Sequence, residues 1–428
     1  MSSALPSYDE AAALVARFAA ELRRKRPSTE RVELASAAGR VLARPLHTDS
    51  DQPAFPRSTR DGFACRASEA MKRAPLPVAG SSRAGDPPPG ALPAGAAWEI
   101  MTGSPVPEGA DAVMMIEHVE AVGGKVALLG PHKLSPGENI VAKGAQARAG
   151  DELLLVGTLL GYAQIGLAAS CGETGLEVFA RPRVAILSTG DELVAIDAVP
   201  SPGQIRNSSA PMLAAMVAQA GGEPWILPIA ADTAEALDAA LDAVLEPAAE
   251  ADVLLITGGV SAGKFDLVEP ALTRAGGRFH FTGARIQPGK PIVFGEFAGK
   301  SASSVQKENG TKCFFGLPGN PVSSAVTFLL FGAPVVGALA GRIDTGPRFA
   351  LARLGSEPDK HARPGLTRFL PALCNFSLSG GGLPEVALVA WQGSGDLAAL
   401  ARANCFLVVP EGGHERLEPG AVVRILLV

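Results

Sequence analysis

Histidine, aromatic residues and paired cysteines are scarce in this chain, and each scarcity removes a class of function. The five cysteines (Cys65, Cys171, Cys313, Cys374 and Cys405) are scattered and form no C-x-x-C pair. That pattern argues against a disulfide framework and a structural zinc site, and fits a reducing compartment. Among the six histidines, His118, His280 and His414 have no ligand-like spacing and read as structural or solvated. No serine–histidine–carboxylate order is visible. Aromatic residues make up 5% of the chain, too few for a surface that stacks bases, and the formal net charge of −5 lacks the excess of cations that nonspecific phosphate binding needs. Nucleic acid is therefore not an expected partner. Nor is a membrane, since no run of 18 apolar, uncharged residues stands out. Asp9, Glu10 and Glu21 interrupt the first thirty residues with no basic region ahead of an apolar block, so no signal peptide is expected and the chain reads as cytoplasmic.

What the chain has is length and alternation. At 428 residues, with 47% apolar and 19% charged residues, it is globular and exceeds what one core usually supports. Ser7 and Glu10 form a capping box ahead of Leu14, Phe18 and Leu22, which predicts an amphipathic helix ended by Pro27. From His47 to about Ala147 short extended runs alternate with proline and glycine. Val113 to Val119, Gly123-Gly124 and Val126 to Leu129 read there as a hairpin. A helical pattern over Leu159 to Ala169 is expected to pack beside the first helix, which makes the β-rich piece an insertion. From Arg183 strands and helices alternate: Val184 to Leu187, Pro211 to Ala220 closed by Gly221, Trp225 to Ile229, Thr233 to Glu246 with Asp232 and Glu235 as its capping pair, and Val253 to Thr257. A helix near Phe265 to Ala275, strands near Phe279 and Ile292, and Pro321 to Ala340 follow. This alternation predicts a parallel sheet wrapped by helices. Beyond Gly346 the pattern returns to strands. The expected fold is multidomain α/β plus β: a two-segment helical domain (1–46 and 148–182), an inserted β-rich domain (47–147), a Rossmann-like parallel-sheet domain (183–341) and a C-terminal β-barrel (342–428).

Four strand-then-glycine junctions stand out between Arg183 and Phe331: LSTGDEL, TGGVSAGKFD, QPGKP and GLPGNPVS. Such junctions leave backbone N–H groups at strand ends and helix starts, where α/β folds hold anions. GLPGNPVS also fits a plain turn in which Asn320 caps and Pro321 opens a helix. TGGVSAGKFD adds Ser261, Lys264 and Asp266 within reach of one ligand. In LSTGDEL, Asp191 and Glu192 follow a strand, where carboxylates suit a hydrated Mg²⁺ beside phosphate oxygens, or simply another turn. QPGKP holds Lys290 between glycine and proline, a stiff mount for an ammonium near an oxyanion, or a solvated surface lysine.

Beside these four motifs stand STRDGFA (Ser58 to Ala64), IMTGSPVPEGADAVMMIE (Ile100 to Glu117), GENIVAKG (Gly137 to Gly144) and QGSGDLAAL with its following AN (Gln392 to Asn404). In these eight ordered motifs, over nearly its whole length, the chain resembles the molybdopterin molybdenumtransferases, the bacterial MoeA and gephyrin E-domain family. The resemblance implies a homodimer whose active site is shared between protomers. It implies adenylylated molybdopterin and molybdate as substrates, Mg²⁺ as cofactor, AMP as product, and the molybdopterin adenylyltransferase as donor. It further implies catalytic roles for Asp61, Thr102, Asp232, Asp266 and Lys290. Ligand contacts are implied from Ser188, Thr189, Gly190, Gly258, Gly259, Ser261, Pro318, Gly319, Asn320, Pro321, Arg368 and Ser394, and metal contacts from Asp191, Glu192 and Asp266. Several positions depart from the family pattern. Gln287 stands where KPGKP has its first lysine, Arg60 where a methionine precedes DGYA, and Gln146 where an acid is usual. Leu366, Thr367, Arg368 and Phe369 replace an R-T-E-F-type segment. The lost cation at Gln287 is expected to be restored by Arg60, Arg363 or Arg368. Two competing readings are a molybdopterin-binding scaffold without turnover and a molybdopterin adenylyltransferase.

Overall fold

In the computed structural model the described residues are 5–25, 28–246, 249–259, 267–297, 313–355, 365–376, 382–412 and 417–428. Ser7 caps α1 (Tyr8–Arg24). Its side chain accepts from the Glu10 N–H, while the Glu10 carboxylate accepts from the Ser7 N–H at 2.7 Å, satisfying two donors that a helix start leaves open. Tyr8, Ala11, Val15, Phe18 and Leu22 are buried along one stripe. That stripe docks on the α/β domain, against the helix Ala333–Leu339, and not beside the helix Tyr162–Ser170 as its sequence suggested. The reason is area. Tyr162–Ser170 buries only Ala168 and sits under the antiparallel pair Thr29–Glu33 and Gly175–Phe179, with its own core of Leu42, Leu160, Leu176 and Val178. Pro27 lies outside the described residues.

The central sheet has the order Glu223–Ile226, Arg183–Ser188, Val253–Thr257, Cys313–Leu317, Val293–Phe297, Gly277–Thr282. Its first four strands are parallel, and Val293–Phe297 alone runs antiparallel, to Cys313–Leu317 on one side and Gly277–Thr282 on the other. The all-parallel expectation fails at this edge because residues 283–292 carry no crossover helix, which a parallel return would need. Strand register then positions the site. Ser188 pairs with Thr257, and Thr257 pairs with Leu317. With about 4.8 Å between neighbouring strands, the turns that follow these three residues must emerge side by side.

Thr233, not Asp232, caps the helix Ala234–Leu245, accepting from the Ala236 N–H at 3.2 Å. The segment Pro321–Leu339 is long and apolar enough to cross a membrane, against the expectation that none is, and 83% of it is buried in the protein core. It runs α, then π over Phe328–Gly332, then α. Pro334 explains the widened turn, since it donates no N–H and its ring crowds the preceding turn.

The inserted domain has its own six-stranded sheet and its own core around Phe63, Met114 and Val126. The hairpin is Val119–Val122 with Lys125–Leu128, turning on Gly123 and Gly124, both at positive φ. Its predicted first strand is split at Ile116–His118, and Ala112–Met115 pairs with Gly62–Cys65 instead. In the C-terminal region the strand Thr367–Asn375 pairs with both Glu385–Leu388 and Cys405–Val409 and closes a barrel. Ile286–Gln287 of the α/β domain joins it in parallel with Thr367–Arg368. Phe369, Phe406 and Leu426 share a core with the central sheet. The barrel and the α/β domain thus meet along a continuous apolar seam.

Candidate active site

Above that seam lies a cleft of about 920 Å³, a size suited to a nucleotide-sized ligand. Residues of all four glycine junctions line it: Thr189 and Glu192, Gly258 and Gly259, Gln287 to Pro291, and Pro318 to Pro321. Ser394 and its flanking glycines enter from the barrel side. The turns pack closely, and at Gly258 only glycine fits. A Cβ on Gly258, whose φ is +94°, would lie 2.3 Å from the Thr189 carbonyl oxygen, and one on Gly319 would lie 3.5 Å from Gly258 Cα.

This packing frees donors. The backbone N–H groups of Gly259, Gly319 and Asn320 have no protein acceptor among the described residues, although all three residues line the cleft. An anion satisfies such donors directly. The first free N–H of the Pro321 helix is already engaged, since Val322 N–H donates to the Ser394 carbonyl at 3.0 Å. Asn320 occupies the cap position without capping. Its Nδ2 donates to Ser394 Oγ at 3.0 Å, so the amide ties the GLPGNP turn to the barrel. The Ser394 loop is itself held by Asp396, whose carboxylate accepts from the Gln392 and Ala399 N–H groups. These backbone bonds keep its pKa below the usual carboxylate value.

Lys290 is exposed and makes no ion pair among the described residues. It is mounted on Gly289, where a Cβ would meet Thr327 Cγ2 at 2.4 Å, so its loop is pressed onto the long helix. Gln287 also lines the cleft, and its Oε1 is buried without a hydrogen-bond partner. Arg368, 6% exposed, lies directly opposite Gln287 in the strand register.

Thr189, Asp232 and Asp191 are linked in a chain. Thr189 Oγ1 donates to Asp232 Oδ1 at 2.5 Å, and the Asp232 N–H donates to Asp191 Oδ1 at 3.1 Å. Glu192 faces the cleft itself. Among the described residues no three His, Cys, Asp or Glu side chains gather into a cage. The Ser188 hydroxyl is buried and accepts from Thr257 Oγ1 at 3.1 Å, and Ser188, Gly190, Asp191, Asp232 and Arg368 do not line the cleft. Asp61 and Thr102 find each other elsewhere, in the inserted domain. The Asp61 carboxylate accepts from the Thr102 N–H at 2.7 Å and from its hydroxyl at 2.8 Å, and these bonds hold its pKa below the ordinary value. The single chain does not bring this pair into the cleft. Ser261, Lys264, Asp266 and Arg363 lie outside the described residues. Arg60 is exposed on the Ser58 turn, and Gln146 is exposed on the Gln52 turn.

Sequence reasoning missed Trp391, Arg206 and Asn207, all of which line the cleft. Trp391 precedes QGSGD directly and was within reach of the motif. Asn207 opens the helix Ser209–Ala220 by accepting from the Ala210 N–H at 3.2 Å.

Comparison with known proteins agrees over the whole length. The MoeA N-terminal region (domain I and II) matches residues 6–172, a probable molybdopterin binding domain matches 185–338, and the MoeA C-terminal region (domain IV) matches 357–428. The chain is 34% identical to a molybdopterin molybdenumtransferase of Nostoc over 396 residues, covering 90% of this chain and 85% of that one. To the Bacillus subtilis molybdopterin molybdenumtransferase it is 33% identical over 427 residues, with 98% and 93% covered. A crystal structure of a molybdopterin biosynthesis MoeA protein from Pyrococcus horikoshii superposes with a TM-score of 0.76 at 26% identity, covering 99% of this chain and 100% of that one. A second structure from that organism gives 0.70 at 31% identity, over 96% and 98%. The chain belongs to the MoeA family of molybdopterin molybdenumtransferases, transferases of molybdenum cofactor biosynthesis.

Proposed function

We propose that the cleft binds adenylylated molybdopterin, that its phosphoanhydride is cleaved there with release of AMP, and that molybdate is delivered to the dithiolene of the pterin. The observation that carries this reading is the convergence of all four glycine junctions and Ser394 on one cleft with three open amide donors. Gly259, Gly319 and Asn320 hold phosphate oxygens by backbone donation. Lys290 neutralises charge on the leaving phosphate or on molybdate, a dianion.

A divalent cation fits the donor set. Glu192 in the cleft, with Asp191 and Asp232 beside it, offers only oxygen ligands and no closed cage, which suits a hydrated Mg²⁺ completed by substrate phosphates. When bound, Mg²⁺ supplies charge neutralisation at the anhydride. Arg368 is the candidate for the cation missing at Gln287, because strand register sets the two residues opposite each other. If Arg368→Ala and Arg60→Ala both leave molybdate affinity unchanged, that compensation is wrong.

The active form is a homodimer in which the partner's inserted domain brings its Asp61–Thr102 pair to this cleft. An exposed apolar patch supports a covered face: Leu155, Leu159 and Ile343 are at least half exposed, and Tyr162 is 94% exposed. The enzyme works in the cytoplasm and takes its intermediate from the molybdopterin adenylyltransferase. Incubation with adenylylated molybdopterin, Mg²⁺ and molybdate tests the reading. AMP release at a rate that depends on molybdate is expected. Tight binding without release points to a scaffold, and ATP consumption to the adenylyltransferase.

A further inference from the structure

The Asp61–Thr102 pair sits on two exposed turns of the inserted domain, 41 positions apart in the chain. Its two hydrogen bonds form only while the two backbones keep a fixed separation. Exposed side chains do not enforce that themselves, because water competes for each donor and acceptor. What enforces it lies beneath them. Ser58 is 1% exposed and bonds to both turns. Its main chain clamps the Thr102 turn: the Ser58 N–H donates to the Ser104 carbonyl at 3.0 Å, and the Gly103 N–H donates to the Ser58 carbonyl at 2.8 Å. Its hydroxyl serves the other turn, donating to the Arg60 carbonyl at 2.6 Å and accepting from the Arg60 N–H at 3.2 Å.

The chain after Asp61 is fixed by other means. The Asp61 carbonyl accepts from the Ile116 N–H at 3.0 Å, and a Cβ on Gly62 would run into the Met114 carbonyl, so this side is pressed onto the neighbouring strand. Before Asp61 the support is thinner. Thr59 N–H donates to the Asn139 carbonyl at 2.9 Å, but the Arg60 main chain has no protein partner except the Ser58 hydroxyl among the described residues. The Arg60 carbonyl belongs to the peptide unit that leads into Asp61. Without the hydroxyl, water takes over both Arg60 groups and that peptide is free to turn.

We propose that Ser58 is a positioning residue for turnover: its hydroxyl sets the Arg60–Asp61 peptide so that the Asp61 carboxylate stays on Thr102 when the pair is presented to the cleft. This rests on the reading that the pair acts there. Ser58 itself does not line the cleft.

Two readouts on the full-length protein test it: the Asp61 carboxyl titration by NMR, and kcat and KM for molybdate-dependent AMP release. In Ser58→Ala the Asp61 midpoint should rise toward the ordinary value, since the Thr102 bonds that lower it are loosened. The kcat should fall about 10-fold with KM unchanged, and Ser58→Thr, which keeps the hydroxyl, should restore both. Ser82 is 3% exposed in the same domain and its hydroxyl has no partner, so Ser82→Ala, with the main chain untouched, should match wild type. An unchanged Asp61 midpoint in Ser58→Ala, an equal loss in Ser82→Ala, or a Ser58→Thr variant as impaired as Ser58→Ala overturns the proposal. Should Ser58→Ala fail to fold, Ser58→Cys, with a weaker donor of similar shape, decides by the same two readouts. Loss of turnover in Asp61→Asn without loss in Ser58→Ala removes this proposal alone, whereas full turnover in Asp61→Asn removes the reading beneath it.

Discussion

The cleft and the inserted domain carry their functional groups in opposite ways. In the cleft the donors are main-chain amides at the ends of buried parallel strands, and Gly258 packs against the Thr189 carbonyl so tightly that no side chain fits. In the inserted domain the groups are side chains, Asp61 and Thr102, bonded to each other on exposed turns. The first arrangement cannot be altered without disturbing the fold. The second can be changed residue by residue. What this teaches, on the proposed reading, is a division of labour: a cradle of main-chain amides for the ligand, and a side-chain pair that the proposed homodimer would bring to it from a second chain.

The sharpest way to break the contrast is Gly258→Ala. Its new Cβ would collide with the Thr189 carbonyl, so urea unfolding should register a loss of about 3 kcal/mol, and nucleotide binding by calorimetry should vanish. Lys290→Met comes next. Molybdate-dependent AMP release should fall roughly 100-fold, while stability stays within about 0.5 kcal/mol, because the ammonium is exposed.

Asp61→Asn should lower turnover less than Lys290→Met and leave binding of AMP unchanged. Mixing Asp61→Asn with Lys290→Met subunits should restore about a quarter of wild-type activity, since half the reassociated dimers carry one intact site. If the mixture stays inactive, the pair does not act across subunits. The smallest structural effect is expected from Ser394→Ala, which removes the Asn320 bond and should cost about 1 kcal/mol, read as weaker ligand binding.

Proton titration sharpens the same comparison. Thr102 lowers the Asp61 pKa in the folded protein, so any stability it lends is complete at neutral pH. That contribution is lost only as the pH falls through the depressed value, below the ordinary Asp value of about 3.9. Following the Asp61 carboxyl by NMR should show its midpoint below that of Asp61 in a Thr102→Val variant. Coincident midpoints would show that the bond does not hold in solution.

The cradle was legible because it is local. Gly258, Gly259 and Gly319 follow apolar runs, and a parallel sheet aligns strand ends without further information. What was not legible comes from contacts distant in the chain. Asn320 reads as an ordinary helix cap, yet its partner Ser394 is 74 positions away. The α1 stripe reads correctly as apolar, but only the assembled protein shows that it covers the α/β domain. Gly277–Thr282 and Val293–Phe297 pair antiparallel because the link between them carries the short strand Ile286–Gln287 and no crossover helix. Pro334 is visible in the sequence, but the wide turn that absorbs it depends on a helix held on all sides by the core.

The central claim is that the amides of Gly259, Gly319 and Asn320 grip a nucleotide-linked phosphate between the α/β domain and the barrel. A crystal structure of the protein soaked with AMP, Mg²⁺ and molybdate tests it most directly. The account predicts the AMP phosphate against those three amides with Lys290 beside an oxyanion; AMP bound on another face, with this cleft empty, would contradict it.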